Sequence, residues 1–274
     1  MRITLGHTPD ADDAFMFYGI ASGKVKSDNF AVNHVIEDIE TLNKRALRHE
    51  LDVTAVSAHA YAYLKDYVVL RAGGSFGLNY GPVVIARKDR TVDLKNATIA
   101  IPGRMTSANL LLKLAVGNFV EKEMSFETIP QAVLDGRVDA GLVIHEAQIT
   151  FDRTKFSGIL DLGSWWSAAT GNLPVPLGIN VASSKTMTRE QIKQFSDLFV
   201  QSIQYGLDNI DAAIDYSMQH GRGQPKETIK KFVLMYVNDI TRDMGPSGKK
   251  AMETMFEMAR QRKLIESPII VDVL

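Results

Sequence analysis

The stretch "DAGLVIHEAQITF", Asp139 to Phe151, runs apolar from Ala140 to Ile144 and then meets His145 and Glu146. A buried strand ending in an imidazole invites acid–base chemistry. If a helix starts there, its N-terminal dipole disfavours added positive charge and keeps the ring neutral. A neutral imidazole is what a general base requires, and such catalysis is typically worth about 10²–10⁴-fold. The alternative is a partly buried histidine bonded to a backbone carbonyl. His7 and His59 are weaker candidates for the same role. His34, His49 and His220 lie in surface-like contexts and read as structural. No two histidines have close ligand spacing, so no metal site is expected.

Three further stretches carry polar groups at the openings of predicted helices. "HTPDADDAF" places Asp10, Asp12 and Asp13 there, either as contacts to a ligand or a divalent ion, or as capping and dipole compensation. Asp-x-Asp-Asp without a supporting His or Glu is a weak metal pattern. "IPGRMTSANLLL" reads as strand, Pro-Gly turn, then Thr106 or Ser107 at a helix start. Unpaired N–H groups at such a terminus suit a carboxylate or phosphate, although Thr106 also serves as a plain N-cap. "AVSAHAY" repeats the design with Ser57. Facing each other, the two would clamp an anionic small molecule. Trp165 and Trp166 fall in a predicted loop, where packing is the default and stacking on a planar ligand the alternative.

The elements that must position these groups follow from the apolar pattern. The chain has 274 residues, is 45% hydrophobic and 23% charged, and carries a formal net charge of -1. That is the composition of a globular protein with a sizeable core, and the balance gives no reason to expect nucleic acid or a membrane surface as partner. There are no cysteines, which excludes disulfides and thiolate chemistry. The opening "MRITLGHTPDADDAF" turns polar after five positions and lacks the apolar core of a signal peptide, so a cytoplasmic location is expected.

Short apolar strands alternate with helical patterns twice, which predicts an α/β fold. A polar interruption, "KDRTVDLKN", separates the two series, and from about Met187 the pattern is helical. The expectation is a two-lobed, periplasmic-binding-protein-like (type II) architecture with a mixed sheet and flanking helices in each lobe. Residues 1–88 and 180–274 would form the first lobe and 89–179 the second. The crossings are placed near Arg87–Asp89 and Gly178–Ala182. Because α/β sheets bind ligands beyond the carboxyl ends of their strands, His7–Asp13, Ala55–His59, Pro102–Ala108 and His145–Glu146 should face the interlobe cleft.

Several long motifs in order, "EDIETLNKRAL", "DVTAVSAHAYA", "RAGGSFGLNYGPVVIAR", "IPGRMTSANLLL", "GRVDAGLVIHEAQITF" and "DLGSWWSAATGNLPVPLG", together resemble the 1,4-dihydroxy-6-naphthoate synthases of the futalosine route to menaquinone. The resemblance implies cleavage of cyclic dehypoxanthine futalosine to the dihydroxynaphthoate, without metal or organic cofactor. Matched motif to motif, it implies His145 as proton acceptor and substrate contacts at Ala55, Val56, Ser57, Ser107 and Ala108. Thr106, at the same helix start, and Asp13, which fits the family pattern, join the expected contacts. Asn43 is a further polar contact or else part of a solvated helix face.

One stretch departs from the family. Where members commonly read Ser-Pro-Cys-Pro-Asn-Asp-x-Phe, this chain has Thr8-Pro9-Asp10-Ala11-Asp12-Asp13-Ala14-Phe15. Extra carboxylates in the cleft wall would disfavour a nearby anion. Two rival functions follow: chorismate dehydratase of the same pathway, and a solute-binding protein without chemistry.

Overall fold

In a computed structural model, residues 1–221 and 223–274 are described. The strands among them are β1 (Arg2–His7), β2 (Ala31–Ile36), β3 (Val53–Ser57), β4 (Tyr67–Val69), β5 (Ser75–Gly77) and β6 (Val83–Arg87). They continue with β7 (Thr98–Ile101), β8 (Val120–Glu123), β9 (Ala140–Val143), β10 (Phe156–Asp161) and β11 (Val175–Ser183). Two sheets result. The first has the order β2-β1-β3-β11-β4, with β5 also paired to β11; the second has the order β10-β6-β9-β7-β8. In the first, β1 runs parallel to β2 and β3, whereas β11 is antiparallel to β3, β4 and β5. In the second, β7 is parallel to β8 and β9, and β6 is antiparallel to β9 and β10. Each lobe is therefore a mixed sheet flanked by helices, as the sequence pattern predicts.

The sheets exchange the chain earlier than the expected crossings. β6 lies wholly in the second sheet, because its run Val83–Ala86 is buried on both faces and needs neighbours on both edges. β11 lies wholly in the first sheet, where it pairs with three strands. The connections are thus residues 78–82 and 171–174 rather than Arg87–Asp89 and Gly178–Ala182.

One other local expectation shifts. "LGSWWSAAT" is a helix, Leu162–Thr170, and not a loop. Asp161 caps it by accepting from the Ser164 N–H at 2.9 Å, and Gly171, at φ 68°, ends it in the left-handed conformation.

In the first lobe the helices Ala11–Ala21 and Arg189–Asp208 pack together over sheet residues such as Ile3 and Leu5. Phe17 and Phe199 stack there with centroids 4.3 Å apart. Gly19 allows the close approach: a Cβ on it would come within 2.9 Å of the Ser202 backbone. In the second lobe the helix Ser107–Val116 buries Leu110, Leu111, Leu112 and Leu114, among a core that includes Ile99 and Leu142. Among the described residues, no helix is long and apolar enough to cross a membrane.

Candidate active site

The carboxyl ends of β1, β3, β7 and β9 converge on one interlobe cavity. With the open space at its mouth it encloses about 720 Å³. From the first lobe come Thr8, Asp10, Asp12, Asp13, Ala55 and Ser57. The second lobe brings Thr106, Ser107, Ala108, Ile144, His145 and Gln148.

His145 follows β9 at φ 54°, a left-handed conformation that histidine adopts more readily than most residues. This reverses the chain sharply and leaves the ring on the cavity wall, edge-on to Phe126 at 4.8 Å between centroids. The helix after it, Ala147–Thr150, is a single turn. The dipole expected at a helix start is correspondingly slight. The group that faces the ring is instead a carboxylate, with Nδ1 of His145 3.1 Å from Oδ2 of Asp10.

Asp10, Asp12 and Asp13 are all buried beside the cavity. Burial and the neighbouring carboxylates Asp13, Asp10 and Glu146 hold Asp12 well above the usual carboxylate range. Burial likewise pushes Asp13 up to about 7, opposed by hydrogen bonds that its Oδ2 accepts from the Thr8 N–H (2.7 Å) and hydroxyl (2.8 Å). Both shifts favour the neutral carboxyl, so the cavity is less anionic than three aspartates suggest. The expected repulsion of an anionic ligand is weakened accordingly. Among the described residues, no three Asp, Glu or His side chains are placed to hold a metal ion.

Thr106 caps its helix by accepting from the Asn109 N–H at 3.2 Å and donates its hydroxyl to the Gly103 carbonyl at 2.8 Å. Ser107 and Ala108, in the helix's first turn, line the cavity. The Ser107 hydroxyl donates to the Leu177 carbonyl at 2.6 Å and accepts from the His59 N–H at 3.1 Å, which binds one lobe to the other. On β3 the alternation of side chains sends Ala55 and Ser57 to the cavity and Val56 into the core. The Val56 side chain is therefore not a lining group, contrary to expectation.

Asn43 is not on the cavity wall and not on a solvated face. Fully buried, it accepts from the Ser57 N–H at 2.8 Å and donates to the Ser57 hydroxyl at 3.1 Å and to Glu40 at 3.2 Å. It holds the end of β3 in place. The expected first-lobe helix start is also reduced, since only Ala58–Tyr61 is helical there and the Ser57 N–H is taken by Asn43.

His7 and His59 are absorbed structurally. His7 pairs with the Thr8 carbonyl and His34 Nδ1, both at 3.1 Å. His59 pairs with the Thr106 carbonyl and the Tyr63 hydroxyl, both at 3.3 Å. Burial drives both rings down to about 4. Trp166 is fully buried and donates to the carbonyls of Leu173 (3.0 Å) and Pro174 (3.1 Å), so it packs.

Sequence reasoning missed Gln148, Phe232 and Tyr236 in the cavity wall. The last two come from the helix Lys226–Tyr236, and the Tyr236 hydroxyl donates to Gln148 across the cleft at 2.9 Å.

A family profile described as menaquinone biosynthesis matches residues 3–261. A 1,4-dihydroxy-6-naphthoate synthase of Thermus thermophilus is 37% identical over 263 residues, covering 96% of this chain and 95% of that protein. A crystal structure of a protein from Archaeoglobus fulgidus is 48% identical, with a TM-score of 0.91 over 96% of this chain and 98% of its own. The ligand-binding component of an ABC-type importer from Staphylococcus aureus shares the fold, with a TM-score of 0.72 and 15% identity over 100% of this chain and 96% of its own.

Proposed function

The chain belongs to the menaquinone-biosynthesis family, and on that premise we propose that it acts as a 1,4-dihydroxy-6-naphthoate synthase with His145 as the proton acceptor. It is an enzyme of menaquinone biosynthesis with a periplasmic-binding-type fold. The observation that carries the catalytic reading is His145 at the carboxyl end of β9, on the wall of the interlobe cavity and 3.1 Å from a carboxylate.

In this reading the imidazole takes a proton from a sugar hydroxyl of cyclic dehypoxanthine futalosine. The resulting alkoxide becomes a carbonyl as the adjacent carbon–carbon bond breaks. The electron pair of that bond passes into the ring system, which ends as the aromatic dihydroxynaphthoate. No oxidant or reductant is needed, and aromatisation drives the step. Ser107, Ala108 and the first-turn N–H groups of their helix suit the anionic or oxygen-rich parts of the substrate. Asp12, whose neutral form is favoured by burial, lines the same wall and in that form has an O–H to offer a substrate oxygen. Bonds that cross the cleft, such as Ser107 to Leu177 and Tyr236 to Gln148, hold the lobes together and keep water from the reaction.

The test is incubation of the purified protein with cyclic dehypoxanthine futalosine, following 1,4-dihydroxy-6-naphthoate by chromatography and mass spectrometry, with chorismate in a parallel tube. Naphthoate from the first tube and unchanged chorismate in the second are expected. Dehydration of chorismate alone would overturn the assignment.

A further inference from the structure

Asp10 occupies a position at which aspartate ordinarily serves its own helix. It is the N-cap residue of Ala11–Ala21, with extended backbone angles of φ -109° and ψ 151°, yet its side chain makes no capping hydrogen bond. An N-cap aspartate that gives up this contact forgoes the stabilisation a capping side chain lends its helix. Its Oδ2 instead stands 3.1 Å from Nδ1 of His145, on the opposite lobe. The Asp10 side chain is 4% exposed and that of His145 19%, and both stand on the cavity wall. Phe126, packed edge-on, restricts the imidazole from the side.

We propose that Asp10 is the positioning residue of the proton acceptor: it takes a hydrogen bond from the Nδ1–H of His145, fixes that tautomer, and leaves the Nε2 lone pair for the substrate. This rests on the proposed reaction and deepens it. A neutral imidazole has one N–H and one lone pair, and the partner of one nitrogen decides which nitrogen acts as base. Once Nε2 has taken the proton, the imidazolium lies against a carboxylate, which lowers the energy of the charged state that forms during the reaction. The contact spans the two lobes, so the base is completed only when they are together. The distance is within hydrogen-bonding range, and such bonds commonly tighten when substrate is bound. Asp12, Asp13 and Glu146 are the other carboxylates around this pair.

Two measurements on the full-length protein test the pair. The first is a nitrogen-15 spectrum of the histidine-labelled protein near neutral pH without substrate, with the His145 signals assigned by their loss in His145→Asn. A protonated Nδ1 and a bare Nε2 are expected; the reverse tautomer would overturn the proposal. The second is the kinetics of Asp10→Asn. A fall in kcat on the order of 10²-fold or more with KM little changed is expected, because the amide can present a donor to Nδ1 and favour the wrong tautomer. A well-folded Asp10→Asn with wild-type kcat and an unchanged His145 spectrum would overturn it. If wild-type protein forms no naphthoate, the reaction assignment fails, while the spectrum still judges the pair by itself.

Discussion

His59 and His145 occupy similar places, each just beyond a strand whose carboxyl end faces the cleft, and the fold uses them in opposite ways. His59 is 5% exposed, has a partner on each ring nitrogen, and is driven down to about 4 by burial. It is a neutral bracket between Thr106 of one lobe and Tyr63 of the other. His145 lines the cavity, has a carboxylate 3.1 Å from Nδ1, and packs edge-on against an aromatic ring. The difference teaches that position at a strand end does not make a histidine a base. One nitrogen must be fixed by a partner while the ring still borders the space where substrate sits.

The comparison breaks most visibly at turnover. His145→Asn should lower kcat by about 10²–10⁴-fold and leave thermal unfolding near wild type, because asparagine tolerates the φ of 54° at this position. His59→Gln should leave kcat close to wild type. Initial rates and melting curves on both variants decide it. A His59 variant that folds normally yet loses turnover would erase the distinction.

Acid stability sharpens the same contrast. In an unfolded chain His7 and His59 titrate near 6.5, whereas in the fold they are held down to about 4. The unfolded state therefore binds more protons between these values. Stability from keeping the rings neutral is fully present above pH 6.5 and is lost as pH falls towards 4, by about 3 kcal/mol per ring. Asp13 acts in the other direction. Raised to about 7, it favours the folded state most at low pH, and that contribution is lost as pH rises through 7. Urea midpoints between pH 4 and 7 should therefore fall less steeply with acid in His59→Gln and more steeply in Asp13→Asn. Parallel curves for wild type and both variants would show that these groups do not carry the acid response.

At fixed neutral pH the bracket role has its own signature. His59→Leu removes one bond from the Thr106 carbonyl, which still accepts from the Leu110 N–H at 3.2 Å, and one from the exposed Tyr63 hydroxyl, and each lost bond is worth roughly 1 kcal/mol. Urea unfolding should register this loss, and His145→Asn should show none of comparable size.

Local signals made much of this legible. The β9 run into His145, the "IPG" turn into a capped helix, and two α/β series were all readable because each is set by residues close together in the chain. The pairing of Asp10 with His145 was not, since nothing near "HTPDADDAF" records what stands across the cleft. Phe232 and Tyr236 escaped for the same reason: their helix pattern was clear, but the cavity they reach is built by the other lobe. Asn43 lay between two plausible surfaces and proved to be on neither. Val56 is a different kind of miss. Period-two alternation on β3 already separates it from Ala55 and Ser57, and a family match read as a continuous segment overrode that signal.

The smallest effect belongs to the tryptophans, where the alternative of stacking on a ligand remains testable. Trp166 lies on the helix Leu162–Thr170 with no exposed surface, and its indole N–H is shared by the carbonyls of Leu173 and Pro174 just before β11. The segment it fastens is the second connection between the lobes. Trp166→Phe keeps one buried aromatic ring, deletes this donor and leaves a gap where the indole's second ring packed. The cost should be roughly 1–2 kcal/mol, one hydrogen bond plus that gap, read as a small drop in urea midpoint with KM unchanged. A rise in KM without loss of stability would place the ring against substrate instead, and would add an aromatic contact to a cavity whose other lining groups are mostly polar or small.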